Sequence, residues 1–411
     1  MSDKPRCHGT AAAERPQLEV ATVLRTHGAE YAQSHWLSPE QQRAMRDIMR
    51  CRTAALGGHL DRCTACGDEQ PSYNSCRNRH CPKCQALAQA RWVEGQMERV
   101  LPVPCFHVVF TLPAQLRPIA RQHPREVYNL LLRSAADTLL ALGRTPRHLG
   151  AEIGITAVLH TWTRELAYHP HVHCIVTAGG VSLDGERWVD SRPNFLVRVE
   201  VMGALMRGKF LDGLARLRSS GAVTGGLCTD DFSELLQSLY ELDWNVYSKA
   251  PFAAPEYIFR YLAHYTHRTG ISNHRLIAMD QEGVTFRTHG DDTVTLAPEV
   301  FIERFLTHVL PAGFVKIRHY GLMANGGAVG RRERARELLA ERSQDAAASP
   351  VEPQIKLRAV PWSEALAALT GVNPQVCRRC GRPAIVRLPL PNPRPISTTR
   401  VRAPPVAEVA A

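Results

Sequence analysis

Six of the twelve cysteines lie between Cys51 and Cys84. The segment that carries them is rich in Cys, His, Gly and Asn and has no apolar period of a helix or a strand. A stretch without a packable face needs another source of order, and a bound metal supplies one. Cys63-x2-Cys66 and Cys81-x2-Cys84 are separated by fourteen residues, a spacing that suits one tetrahedral Zn²⁺. Each pair bends the backbone so that two thiolates aim at one ion. The expectation is a structural zinc on Cys63, Cys66, Cys81 and Cys84. Cys51, His59, Cys76 and His80 are left over, either as a second zinc site or as core thiols and surface histidines. A redox role is disfavoured, because the two pairs occur together without a βαβ setting. A third pair, Cys377-x2-Cys380, has no partner pair downstream and reads as unligated thiols before it reads as a half knuckle or part of a long-range or dimeric site.

The chain has 411 residues, 44% of them hydrophobic, which excludes wholesale disorder and allows two to three domains. Its formal charge of +11 favours an anionic partner, nucleic acid or acidic lipid. No run reaches the 18 apolar residues of a membrane span, and no apolar stretch of a secretory signal is visible at the start. The expectation is a cytoplasmic protein with reduced thiols and no membrane partner. Around the cysteine pairs stand Tyr73, Asn74, Arg77, Asn78, Arg79 and Lys83, a basic, polar surface suited to nucleic acid, with Arg77, Arg79 and Lys83 as the contacts.

The element pattern predicts an α+β fold. Residues 1–50 form an N-terminal helical region and residues 51–100 a zinc-binding module ending in a helix. Residues 101–335 form an α+β domain, in which the strands IGITAVLHTW and HVHCIVTAGGVSL pair as an antiparallel hairpin. Residues 336–411 form a charged, proline-rich, partly disordered tail. Residues 381–411 hold seven prolines and are expected to build no packed element.

Two constellations carry chemistry. His171 and His173 alternate on a strand, so both imidazoles point to one face, as two ligands of one cation must. The third ligand is His160, brought across the hairpin, or else His169 or Glu165 in the connection. Downstream, Tyr261 and Tyr265 stand one helical turn apart and share a helix face, with Tyr257 a turn earlier. Alone they read as an aromatic core stripe. The basic and polar groups Arg260, His264, His267 and Arg268 around them, and the upstream histidines, make them candidate nucleophiles for phosphate chemistry.

The histidine strand followed by the tyrosine helix resembles the HUH endonucleases in replication-initiator order. The fuller pattern is Cys51-Arg52-Thr53, Leu56-Gly57-Gly58-His59, Tyr73 through Gln85, His107-Val108-Val109-Phe110-Thr111-Leu112-Pro113, His169-Pro170-His171-Val172-His173, Arg260-Tyr261-Leu262 to Arg268, Ile271-Ser272-Asn273 and Ile317 to Gly321. Over roughly residues 20–335 it resembles the two-tyrosine rolling-circle transposases of bacterial insertion sequences, the IS91 family. The resemblance implies an HUH (Rep-like) catalytic domain, with an antiparallel sheet carrying the histidines and a helix carrying the tyrosines. It implies metal-dependent cleavage of single-stranded DNA at element ends and target site. Tyr261 or Tyr265 would attack, giving a 5′-phosphotyrosine and a free 3′-OH. Mg²⁺ or Mn²⁺ would sit on His171, His173 and the third ligand, and Lys249, Arg260 and Arg268 would touch phosphates. Such a protein would work at the bacterial nucleoid. The rival readings are a non-enzymatic zinc-finger DNA-binding protein and a metal-dependent hydrolase. Only the tyrosine transferase retains DNA after denaturation.

Overall fold

The structure is a computed structural model that describes residues 18–84, 86–97, 99–193, 196–224, 229–252, 270–326, 329–343 and 359–390. The helix expected around Tyr261 and Tyr265 lies outside the described residues, together with Tyr257, Arg260 and Arg268.

In chain order the elements begin with α1 (Val20–Ser34), α2 (Pro39–Arg50), β1 (Gly58–Cys63), β2 (Glu69–Tyr73), α3 (Ala86–Met97) and β3 (Cys105–Thr111). Next come α4 (Arg117–Gln122), α5 (Pro124–Arg144), β4 (Ala151–Trp162), β5 (Tyr168–Ser182), β6 (Trp188–Asp190), α6 (Val199–Ser219), α7 (Thr229–Glu241) and β7 (Val246–Phe252). Then follow β8 (Leu276–Met279), β9 (Val284–Arg287), β10 (Thr293–Leu296), α8 (Pro298–Thr307), β11 (Ile317–Gly321), α9 (Val329–Ser343), α10 (Trp362–Thr370) and β12 (Ile385–Leu390). The fold is α+β. It divides into two units, residues 1–49 with 77–374, and residues 50–76 with 375–411.

The larger unit is built on an antiparallel sheet in the order β11-β4-β5-β3-β7, with β6 added beside β5. The expected hairpin is its centre, β4 against β5, with His160 opposite His171. β4 is buried along nearly its whole length, so the sheet is covered on both faces. On one face Phe106, Val108, Phe110, Ile155, Leu159, Val172 and Val176 pack against Leu131, Leu132, Leu139 and Phe210. α5 makes this possible: Pro124 opens it at a position where no N–H is needed, and Val127, Leu131, Ala135, Leu139 and Leu142 recur at helical spacing and are buried. Burying each such Leu is worth roughly 1.5–3 kcal/mol. Residues of opposite parity face the other side, where Cys105, Val158 and Ile175 meet Trp92 and Ile317. That second face carries the histidines.

The far end of β5 departs from regular pairing. Gly179 has φ +150, and a Cβ there would stand 2.6 Å from the Val189 carbonyl oxygen, so only glycine fits. Thr177 closes the gap that this irregularity leaves: its Oγ1 accepts from Gly154 N–H at 2.9 Å and donates to the Gly179 carbonyl at 2.6 Å.

The smaller unit is a three-stranded antiparallel sheet, β12-β1-β2. Residues 51–84 therefore contain regular strands, although their sequence shows no period. The expectation that residues 381–411 build no packed element is corrected: Ile385 to Leu390 pair in register with Cys63 to Gly58. β12 is an edge strand, so Pro389 need not donate to a central ladder.

Candidate metal centres

In the smaller unit four cysteines converge. Cys63 Sγ lies 3.6 Å from Cys380 Sγ, and Cys66 Sγ lies 3.7 Å from Cys377 Sγ. Four sulfurs held about 2.3 Å from one tetrahedral ion are about 3.8 Å apart, so the arrangement is that of a Cys₄ zinc site. The two knuckles are built alike. Gly67 N–H donates to the Cys63 carbonyl at 2.9 Å, and Gly381 N–H donates to the Cys377 carbonyl at 2.9 Å. Both glycines take left-handed φ, +76 and +71. The strand after each knuckle, β2 or β12, pairs with β1.

This corrects the expected ligand set. Cys63 and Cys66 meet Cys377 and Cys380, not Cys81 and Cys84. Cys377 and Cys380 are correspondingly not idle thiols. The signal was present: Cys-x2-Cys-Gly occurs at both knuckles, whereas Cys84 is followed by Gln85. Neither leftover histidine sits in a cysteine cluster. His59 Nε2 lies 3.6 Å from Asp61 Oδ1. His80 is buried, and its Nε2 accepts from Leu310 N–H at 3.2 Å. Burial, with Arg79 and Lys316 nearby, pushes its pKa down to about 3.

In the larger unit His160, His171 and His173 form the second convergence, each offering a ring nitrogen within 4.8 Å of the others. Pairing of His160 with His171 across the hairpin places the third ring, as alternation places the first two. Ring centroids lie 4.3 Å (His160–His173), 4.8 Å (His171–His173) and 5.5 Å (His160–His171) apart. Trp162 stacks on His160 at 5.1 Å. Burial is the main cause that depresses all three pKa values, and the neighbouring imidazoles add to it. His171 falls to about 4, and His160 and His173 fall well below 6.5. The rings are thus neutral at pH 7, the form that ligates metal. His171 Nδ1 is 2.6 Å from the His169 carbonyl, which leaves Nε2 for a ligand. The alternatives are engaged elsewhere: His169 Nδ1 accepts from Arg117 Nη2 at 3.0 Å, and Glu165 is exposed outside the group.

A family described as "Transposase zinc-binding domain" matches residues 23–112, and one described as "Putative transposase" matches residues 154–331. The "Putative transposase y4qJ" of Sinorhizobium fredii is 44% identical over 322 residues, 75% of this chain and 80% of that protein. The chain belongs to the IS91 family of transposases. The "Transposase for insertion sequence element IS801" of Pseudomonas savastanoi pv. phaseolicola is 28% identical over 320 residues, 71% of this chain and 74% of that protein. No solved structure matches. The zinc-binding match covers Cys51 to Cys84 and reaches His107, but the Cys377–Cys380 knuckle of the transposase lies outside it. Among the described residues no helix is long and apolar enough to cross a membrane.

The basic residues of the transposase divide by environment. Arg77 is exposed and has φ +55. Arg79 donates to the Phe314 carbonyl at 2.7 Å, and Lys83 pairs with Glu19 at 2.5 Å, so both are engaged within the larger unit. Lys249 is exposed on β7 opposite His107, on the histidine face. The described chain leaves at Phe252, beside Cys105, and resumes at Gly270, where an added Cβ would meet Leu166, Trp162 and His308.

Proposed function

We propose that this transposase cuts and rejoins single-stranded DNA by tyrosine attack at the histidine face. The observation that carries the reading is the convergence of three neutral imidazoles, His160 buried and His171 and His173 half-buried, on one face of a rigid sheet. The donor set fits a divalent cation, for which Mg²⁺ and Mn²⁺ are the candidates. Bound there, such a cation supplies Lewis-acid polarisation of the scissile phosphate. The chain's own residues do the rest. The phenol of Tyr261 or Tyr265 loses its proton and bonds to phosphorus, and the P–O3′ bond breaks. The 3′ oxygen leaves as a hydroxyl, and the 5′ phosphate stays on tyrosine. The reverse attack by a new 3′-OH restores a phosphodiester, so the energy of the bond is conserved and no nucleotide cofactor is consumed. Two tyrosines allow a second cleavage before the first end is released. The positions of Phe252 and Gly270 support the reading, because residues 253–269 connect one edge of the histidine face to the neighbourhood of Trp162. Lys249, Arg260 and Arg268 are the proposed phosphate contacts near the scissile bond, with Arg77 as a contact beyond it.

The helical region 1–50, the zinc-binding segment 51–100 and the strand-transfer domain 101–335 are the proposed division of labour, with residues 375–390 added to the zinc-binding part. Zinc on Cys63, Cys66, Cys377 and Cys380 leaves Cys51 and Cys76 in the smaller unit and Cys81 and Cys84 in the larger one, with Cys51 and Cys81 buried. The test is incubation with labelled single-stranded DNA from the element's ends and Mn²⁺, followed by denaturing electrophoresis. Label that migrates with protein is expected. Cleaved DNA with no label on protein would favour a hydrolase, and uncut DNA would favour a zinc-finger binding protein.

A further inference from the structure

His107 lies on β3 next to β5, buried and on the same sheet face as the histidine triad. Its Nε2 stands 2.7 Å from His173 Nδ1. The two ring planes lie within 10° of each other, with centroids 5.0 Å apart. We infer that His107 is a positioning residue for the metal centre: it holds the outer nitrogen of His173 and so fixes the tautomer that presents His173 Nε2 to the cation. The inference rests on the reading of His160, His171 and His173 as metal ligands.

An imidazole that gives Nε2 to a cation must carry its proton on Nδ1, and that proton needs an acceptor. Among the described residues the partner of His173 Nδ1 is His107 Nε2, which accepts only when His107 is neutral and protonated on Nδ1. The geometry parallels His171, whose Nδ1 is fixed by the His169 backbone carbonyl. The difference is that a side chain holds His173, so a substitution can remove the hold without moving the backbone. Loss of such an outer partner typically costs 10–100-fold in metal affinity.

The test is Mn²⁺ titration of the full-length, zinc-loaded protein, followed by the electron paramagnetic resonance signal of free Mn²⁺. His107→Leu should weaken binding about 10–100-fold. His107→Gln, whose Oε1 can accept from His173 Nδ1, should return affinity to within a few-fold of wild type. Nitrogen NMR of ¹⁵N-histidine protein should show His173 protonated on Nδ1 in the wild type. Equal affinity of His107→Leu and wild type overturns the inference while leaving the triad in place. So does a His107→Gln variant as weak as His107→Leu, since the effect is then one of packing. An unprotonated His173 Nδ1 in metal-loaded wild type also overturns it, even if both variants fail to fold. Wild type that binds no Mn²⁺ overturns the underlying metal reading itself.

Discussion

His160, His171 and His173 offer three neutral nitrogens and no carboxylate. Imidazole suits the later transition metals, while Mg²⁺ prefers oxygen donors. The transposase should therefore work at lower Mn²⁺ than Mg²⁺, read by titrating each ion in a cleavage assay. Alanine at any of the three should abolish cleavage and raise the Mn²⁺ dissociation constant at least tenfold. Single-stranded DNA binding should change little, because basic groups supply most phosphate affinity. Retained cleavage in His160→Ala would move the third ligand elsewhere. His308 reports on pH at the same scale. It is buried, with Nε2 on the Leu166 carbonyl at 3.0 Å and Nδ1 near Thr161 Oγ1 at 3.2 Å. Burial is the main cause that lowers its pKa to about 4, and Arg121 adds to it against the Leu166 carbonyl. Below pH 6.5 the unfolded chain takes up a proton that the folded chain refuses until about pH 4. This residue's contribution to stability is therefore full above pH 6.5 and lost as pH falls toward 4, by at most about 1.4 kcal/mol per pH unit. His308→Gln should make urea unfolding less sensitive to pH between 7 and 5. An unchanged slope would show that the proton is taken up equally in both states.

The elements divide into those that local pattern specifies and those that need a distant partner. β4 and β5 were legible because strand length and apolar runs are local quantities. So was the His160–His171 pairing, which follows from a short connection between two long strands. β12 was not, because Pro389 and its proline-rich surroundings argue against a strand until the edge position is known. Nor was the pairing of knuckles 311 and 317 residues apart in sequence, which spacing rules for nearby pairs cannot reach. Their shared Cys-x2-Cys-Gly pattern was the one local clue. Cys377→Ser with Cys380→Ser should remove one zinc ion per chain, counted by native mass spectrometry, and should destabilise β12 as seen by hydrogen exchange at 385–390. Cys81→Ser with Cys84→Ser should leave that zinc in place. Full zinc content in the Cys377/Cys380 variant would return the site to the expected Cys63, Cys66, Cys81, Cys84 set.

At the scale of the whole molecule, the chain combines a Cys₄ zinc-ribbon-like unit with a sheet whose one face is a hydrophobic core and whose other face holds the histidines. A net charge of +11 gives this assembly a strong pull on DNA, which should weaken steeply as salt rises. Family membership establishes a transposase, and the chemistry proposed for it runs through tyrosine. Tyr→Phe removes only the phenolic oxygen, so a covalent-trapping assay with Mn²⁺ and labelled single-stranded end DNA tests the nucleophile directly. Tyr261→Phe and Tyr265→Phe should each keep some protein-bound label after denaturation, because either phenol can attack, and Tyr257→Phe should match wild type. The Tyr261→Phe/Tyr265→Phe double variant should retain none. Label that stays on the denatured double variant would contradict the account, because the nucleophile would then be another residue.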